Sequence, residues 1–136
     1  MKAYIVEAQD QPGELAKVAD ALGSKGINII SIAGLAFGGR GAVGVCTNDE
    51  QGTRSTLKDA GYNAREIELV PISLRDEPGA LASAARRLAD AGVNVELLLP
   101  TRIGADGKVT VAAGVQDGQK ARSALGDLAA AATERA

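Results

Sequence analysis

The sequence predicts an α+β fold made of two tandem βαββαβ units, each with an antiparallel sheet and helices on one face. Two observations carry this prediction. A motif with the pattern Asp-x-Pro-Gly-x-Leu-Ala occurs at residues 10–16 and again, 66 residues further on, at residues 76–82. Each copy is followed by the same order of helical and strand patterns. A period this long indicates two copies of one folded unit, so we place the domains at residues 1–69 and 70–136.

The composition excludes several classes of function. The net charge is −2, and Tyr4, Phe37 and Tyr62 are the three aromatic residues, so we expect no nucleic-acid surface. No stretch reaches the roughly 20 apolar residues of a membrane span, and the N-terminus has the pattern of a strand and not of a secretory signal. The chain has no histidine and a single cysteine, Cys46. We therefore expect a cytoplasmic protein that is not an enzyme and holds no metal or cofactor.

The first unit begins with a strand and a helix. Residues 2–8 are rich in β-branched and aromatic residues, which is typical of a strand. Pro12 and Gly13 then start a helix, with Asp10 or Gln11 at or next to its N-cap. Helical spacing predicts one apolar face, made of Leu15, Val18, Ala19 and Leu22. Gly26 ends the helix.

The first unit continues with two strands and a second helix. Strands at residues 27–35 and 42–47 are joined by a glycine-rich hairpin. Residues 39–44 formally match the dinucleotide-binding fingerprint, but that fingerprint needs a helix after it, so we interpret the match as the hairpin. Asn48 or Asp49 caps the second helix, which has Leu57 and Ala60 as apolar positions and closes at Gly61. Cys46 is expected to be a small core residue.

The same order repeats in the second unit. Its first helix covers residues 80–91, and the inward positions are Leu81, Ala84, Ala85 and Leu88. Strands follow at residues 93–99 and 108–113, joined by a turn at Asp106 and Gly107. Asp117 caps an alanine-rich helix that runs close to the C-terminus. Arg86 and Arg87 are expected to be solvated.

Residues 62–74 pose a problem of strand count. They are extended, and Pro71 within them must lie at an edge, a bulge or a junction. Only residues 133–136 remain after the last helix, which is too short and too polar a segment for a closing strand. We infer that residues 62–74 serve both units and that the second unit lacks its own last strand. The open edge is a pairing template, which another chain or another part of this one would cover.

The order of elements is the split βαβ, ferredoxin-like arrangement, and the repeated motif within it resembles the ACT domain. The resemblance covers nearly the whole chain as two tandem copies. That family is a small regulatory module that senses amino acids and related metabolites. The resemblance implies an amino-acid-binding regulatory protein of amino-acid metabolism, either a homodimer or docked on a partner enzyme. The ligand would lie where the first loop and first helix of one domain meet a neighbouring domain.

The resemblance places ligand binding on the two strand–helix loops and on the strand after each helix. The residues in the first copy are Asp10, Gln11, Pro12, Gly13, Glu14, Leu15, Asn28 and Ile29. Those in the second copy are Asp76, Glu77, Pro78, Gly79, Ala80, Leu81, Asn94 and Val95. Free N–H groups at a helix N-terminus favour a carboxylate, and a glycine lets a ligand approach the backbone. A carboxylate or side-chain amide from the Asp or Asn positions would take an ammonium group.

Three alternatives stay open at this point. The two loops differ at their flanks, with Gln9 and Glu14 against Arg75 and Ala80, so one site can be purely structural. The Pro-Gly pairs can be turn and cap chemistry alone, and Asn28 and Asn94 can be left-handed turn residues. As a whole, the protein can also be a regulatory or structural subunit that binds no ligand and docks on a larger biosynthetic enzyme.

Overall fold

The computed structural model of the protein describes residues 1–103 and 106–130. The elements, in chain order, are β1 (Lys2–Gln9), α1 (Glu14–Gly23), β2 (Ile29–Phe37), β3 (Arg40–Thr47), α2 (Glu50–Asp59), β4 (Ala64–Arg75), α3 (Ala80–Asp90), β5 (Leu97–Ile103), β6 (Lys108–Val115) and α4 (Gly118–Leu125). A 3₁₀ turn follows at Gly126–Leu128. The chain forms two compact units, the first Lys2–Ile67 and the second Glu68–Ala136 with Met1. The domain limits at residues 1–69 and 70–136 stay a prediction.

The first unit is an antiparallel sheet in the order β2-β3-β1 and the first residues of β4. β1 pairs with β3 so that Val6 lies opposite Val43. Alternate residues of each strand face the helices. The core consists of Tyr4, Val6, Val18, Leu22, Ile27, Val43, Val45 and Leu57.

The second unit has the strand order β4-β6-β5. Its core consists of Val70, Ile72, Leu74, Ala84, Leu88, Val111, Ala113, Val115, Ala121 and Leu125. Pro71 lies opposite Ala112 of β6, and its carbonyl accepts a hydrogen bond from the Ala130 N–H at 3.0 Å. Pro71 is therefore on the edge of this unit's sheet, as the sequence predicts for a residue without an N–H.

The described residues contain no full strand that closes the second unit. Ala129 makes a single antiparallel bridge with Ile72, directly after the 3₁₀ turn. The α+β prediction of two ferredoxin-like units, with no last strand of the second unit's own, is thus confirmed for these residues. The segment 133–136, predicted to be too short and too polar for a closing strand, lies outside them.

The helix faces differ from the prediction in one respect. In α1 the buried row is Glu14, Val18 and Leu22, a spacing of four residues. Leu15 was expected on the apolar face and is 57 % exposed, because it lies off that row. The same prediction is wrong in the second unit, where Leu81 was expected to face inward and is 48 % exposed.

Two smaller predictions about helix faces are also wrong. Ala85 and Ala60 are exposed and not inward. In α2 the interior positions are Leu57 and two threonines, Thr53 and Thr56. Thr53 enters the core with its hydroxyl hydrogen-bonded to the Asp49 carbonyl and to the Thr47 hydroxyl.

Several predicted boundaries need correction. The N-cap of α1 is Gly13 and not Asp10 or Gln11. β5 begins at Leu97, four residues later than predicted. α4 ends at Leu125, because Gly126 leaves the helical conformation with φ 57° and ψ −120°. The prediction of a helix that runs close to the C-terminus is therefore wrong over the described residues.

Other local predictions are confirmed. Asp49 and Asp117 cap α2 and α4, each accepting a backbone N–H. Gly38 and Gly39 take positive φ at the β2–β3 turn, so the fingerprint-like match is a hairpin. Cys46 is buried, and burial raises the pKa of its thiol.

One side-chain prediction and one open alternative are overturned. Arg87 is not merely solvated, because its Nη1 donates to the Leu125 carbonyl at 2.6 Å and to Asp127 Oδ1 at 2.7 Å. Asn28 and Asn94 are not left-handed turn residues, because no described residue other than glycine has a positive φ.

Candidate functional site

The two predicted loops have nearly the same backbone. Gly13 precedes α1 with φ 92° and ψ −11°, and Gly79 precedes α3 with φ 86° and ψ −10°. Both are N-cap residues in the left-handed region, and neither helix has a side-chain cap. The glycine is needed because other residues rarely adopt this conformation.

Each helix start presents free N–H groups. In α1 the Glu14 N–H donates to the Gln11 carbonyl at 3.4 Å and the Lys17 N–H donates to Gly13 at 3.0 Å. Within the described part of the chain, no acceptor faces the intervening N–H groups of Leu15 and Ala16.

The same holds in the second unit. Ala80 donates to Glu77 at 3.3 Å and Ser83 donates to Gly79 at 3.0 Å, while the N–H groups of Leu81 and Ala82 have no acceptor among the described residues. Two adjacent free donors at a helix N-terminus favour an anion.

A cleft of about 900 Å³ lies beside the loop of the first unit. It is formed by the end of β1, one side of α1, the tip of the β2–β3 hairpin and residues 60–63. Its charged lining residues are Glu7, Glu14, Lys17, Asp20 and Arg40. Glu14 is thus the one predicted ligand residue of the first copy that lines it.

The second unit has a cleft of about 490 Å³ at the corresponding place. The end of β4, the start of α3, the first residue of β6 and the 3₁₀ turn form it. Four predicted residues line it, namely Glu77, Pro78, Gly79 and Ala80.

The other predicted residues do not line either cleft. Those of the first copy are Asp10, Gln11, Pro12, Gly13, Leu15, Asn28 and Ile29, and those of the second are Asp76, Leu81, Asn94 and Val95. Asn28 is held by its backbone, since its N–H donates to Asn48 Oδ1 at 3.0 Å. The roles of these residues in ligand binding stay predictions.

The clefts contain cationic residues that the motif did not indicate. β1 and β3 place Gln9 opposite Arg40, and β4 and β6 place Arg75 opposite Lys108. Arg40, Arg75 and Lys108 all line their clefts. Arg40 and Lys108 lie at the start of the third strand of their units, and only the strand register brings them to the loop.

The carboxylate of Glu14 lies at the centre of the first cleft's interactions. The residue is 9 % exposed. Its Oε2 accepts the Gln9 N–H at 3.4 Å, and its Oε1 accepts Gln11 Nε2 at 3.3 Å. Lys17 Nζ lies 3.6 Å from Oε1.

Asp127 is the carboxylate that the C-terminal 3₁₀ turn brings to the second cleft. The hydrogen bond and positive charge of Arg87 hold the pKa of Asp127 below its ordinary value. Asp127 is therefore ionised at neutral pH and already paired at 2.7 Å.

A third, smaller cleft of about 350 Å³ lies in the first unit between α2 and β4. Tyr4 is buried beside it, and its hydroxyl donates to Glu66 Oε1 at 3.0 Å. Burial, with the Glu66 carboxylate, raises the pKa of Tyr4 to about 12. Tyr4 therefore keeps its proton near neutral pH and is a structural donor.

The described residues offer no cluster of three or more His, Cys, Asp or Glu side chains that would hold a metal ion. None of the described helices has the length and apolar character needed to cross a membrane.

The family comparison identifies part of the chain. Residues 4–61 match the model of the ACT domain family. None of the curated protein sequences matches this chain significantly.

Solved structures share the fold over nearly the whole length. A protein from Bacteroides thetaiotaomicron is 21 % identical, with a TM-score of 0.74, over 93 % of this chain and 86 % of its own. The ligand-free regulatory subunit of aspartate kinase from Thermus thermophilus is 20 % identical, with a TM-score of 0.65, over 93 % and 90 % of the two chains. The corresponding subunit from Thermus flavus is 21 % identical, with a TM-score of 0.65, over 93 % and 92 %.

The family match and the doubled fold lead to one conclusion: residues 4–61 match the ACT domain family, and the chain is built of two ferredoxin-like units.

Proposed function

We propose that this protein is a non-catalytic regulatory protein of amino-acid metabolism that binds an amino acid at its strand–helix loops. The observation that carries the proposal is the pair of free N–H groups that follows the glycine N-cap in both units. Such donors favour the α-carboxylate that all amino acids share. The same loops carry carboxylates, among them Asp10 and Asp76, and one of these would bind the ammonium group.

The regulatory role is supported by the fold. Two of the solved structures with this fold are regulatory subunits of aspartate kinase. Binding of an amino acid regulates a protein only if the ligand prefers one of its conformations. A ligand held between the loops and a neighbouring ACT domain of a second chain would supply that preference.

The exposed leucines of the motif support such a neighbour. Leu15 and Leu81 occupy the same motif position and are both exposed. A large apolar side chain that is exposed at the same motif position in both units is suited to packing against another protein surface. We therefore propose a homodimer or a complex with a partner enzyme, in the reducing cytoplasm that the single buried Cys46 suits.

The test is a thermal-shift screen of the full chain against the common amino acids at millimolar concentration. A ligand that binds only the folded state adds about 2.7 kcal/mol of stability at one hundred times its dissociation constant. The matched control is the amide of each amino acid that stabilises the protein, since the amide lacks the carboxylate. A selective shift that disappears with the amide supports carboxylate capture, whereas an equal shift with the amide refutes it.

A second candidate is a subunit that binds no ligand and docks on a larger biosynthetic enzyme. It is favoured by β2, the terminal strand of the first unit's sheet. Near its end Leu35 is 78 % exposed and Phe37 is 89 % exposed. Co-purification with a larger enzyme, together with no thermal shift from any amino acid, would favour this candidate over the sensor.

A further inference from the structure

The two clefts differ most at the first residue of the helix that borders them. In the first unit this residue is Glu14, which is nine-tenths buried and turns its carboxylate back onto the Gln9 N–H. In the second unit the same motif position is Ala80, which lines the cleft with a methyl group alone. At this position the first cleft thus has a carboxylate and the second has none. The carboxylates that line the second cleft are Glu77 of the loop and Asp127, which is paired with Arg87.

The cations of the first cleft already lie beside carboxylates of the chain. Lys17 lies 3.6 Å from Glu14, and Arg40 Nη2 lies 3.9 Å from Glu7 Oε1. Asn63 also donates to Glu7 at 3.0 Å. An added carboxylate would have to displace these internal partners.

The second cleft has the opposite arrangement. The positions that correspond to Glu7 and Glu14 are Ser73 and Ala80, which are both neutral. Arg75 and Lys108 line the cleft, and neither makes an ion pair with any described residue. An arginine and a lysine that share one cleft are the groups that bind a carboxylate through charge-assisted hydrogen bonds.

We propose that Glu14 is a built-in carboxylate that closes the first cleft, and that the second cleft binds the carboxylate of a small amino acid between Arg75 and Lys108. Glu77, which also lines this cleft, takes the ammonium group. The inference rests on the proposed function, because it names which unit holds the ligand. In that unit it assigns the carboxylate to Arg75 and Lys108 in place of the helix N–H groups, and the ammonium group to Glu77 in place of Asp76. A volume of about 490 Å³ is within the range of small-molecule sites, roughly 300–1,000 Å³.

The experiment is isothermal titration calorimetry on the full chain with each amino acid that shifts its thermal stability. Acetate is the control ligand that carries only the carboxylate, and methylamine is the control ligand that carries only the ammonium group. The wild-type protein is expected to bind one amino acid per chain. Arg75→Gln and Lys108→Gln should each weaken binding by about tenfold or more, since hydrogen bonds to charged groups are worth roughly 1.5–3 kcal/mol. The matched control is Arg40→Gln, which should leave the affinity unchanged.

A second pair of variants transfers the Glu14 arrangement to the other unit. Ala80→Glu should abolish binding by placing a carboxylate in the second cleft. Ala85→Glu puts the same charge on the same helix, at an exposed residue that does not line the cleft, and should retain binding. Both variants should fold, because glutamate is a good helix former.

The outcomes separate the two ideas. If the wild-type protein binds no amino acid, the proposed function fails and this inference fails with it. If the protein binds but Ala80→Glu, Arg75→Gln and Lys108→Gln leave the affinity unchanged, or if two ligands bind per wild-type chain, only this inference is overturned.

Discussion

The two units differ in the side chains buried next to the N-cap of their second helix, and this difference gives a quantitative prediction. In the first unit Thr47 and Thr53 are buried, with their hydroxyl oxygens 2.6 Å apart. Thr47 lies two residues before the N-cap Asp49 of α2, and Thr53 lies four residues after it. The residues at the same offsets from Asp117, the N-cap of α4, are Val115 and Ala121, which are both fully buried. A pair of hydroxyls therefore corresponds to a pair of apolar side chains.

The expected magnitudes follow from the hydrogen bonds. Thr53→Val removes the donor to the Asp49 carbonyl at 2.8 Å and leaves Thr47 without its partner hydroxyl. Thr47 keeps its bonds to the Asp49 backbone, at 3.0 and 3.1 Å. We therefore expect the low end of the penalty for a buried unpaired group, about 1 kcal/mol. Thr47→Val should cost a similar amount.

The double variant tests the reasoning. Replacing both partners of a buried hydrogen bond by apolar groups of the same shape is nearly neutral, so Thr47→Val with Thr53→Val should cost less than the sum of the single changes. We expect a coupling free energy of about 1 kcal/mol, within the range known for residues in contact.

The assay is urea unfolding followed by tyrosine fluorescence. The chain has no tryptophan, and both tyrosines, Tyr4 and Tyr62, lie in the first unit. Their emission therefore reports on the unit that carries the substitutions, and far-UV circular dichroism reports on the whole chain. Equal m-values would show that the free energy of unfolding changed and not the unfolded state. Strictly additive costs, or single variants as stable as the wild-type protein, would refute the argument.

Three further predictions concern other parts of the molecule. Arg87→Ala should lower the free energy of unfolding by about 1 kcal/mol, because it removes the hydrogen bonds that hold the 3₁₀ turn. Urea unfolding followed by circular dichroism measures this change, and an unchanged unfolding midpoint would contradict the prediction. Because the folded-state pKa of Tyr4 is about 12, its contribution to stability is complete below pH 10 and is lost as the pH rises towards 12. Tyrosinate absorbance should show this pKa fall in Glu66→Gln, and no fall would argue against the Glu66 contribution. Leu35→Ser with Phe37→Ser should weaken self-association or docking without lowering stability, as sedimentation velocity and urea unfolding would show.

The repeat made most of the fold predictable. Asp49 and Asp117 carry the side-chain oxygens that cap helices, and structure places both at N-caps. Pro71, without an N–H, had to lie at an edge, a bulge or a junction, and it lies on the terminal strand of the second unit's part of the sheet. These features depend on neighbouring residues in the chain or on one missing donor, so the sequence is sufficient to predict them.

The helix faces were harder to predict, for a physical reason. Leucine at positions 15 and 81 fits an apolar stripe, but the left-handed Gly13 and Gly79 fix where each helix begins and how it is rotated. The row that faces the sheet then starts one residue earlier, at Glu14 in the first unit. A buried glutamate is an unfavourable guess from composition, and its burial depends on partners that only the folded loop supplies.

The candidate site shows the same limit. The motif located the two loops, but Arg40 and Lys108 come from hairpins far along the chain, and the strand register decides what they face.

Two copies of one backbone can thus differ in function without differing in fold. The glycine N-caps and the row of residues at spacing four are common to both units, because they fix the helix on its sheet. At the cleft, the cations of the first unit lie beside Glu14 and Glu7, whereas Arg75 and Lys108 of the second make no ion pair with a described residue. The structure-determining positions therefore leave the lining positions free to change. Ala80→Glu tests the proposal that one such position decides whether the cleft accepts a ligand.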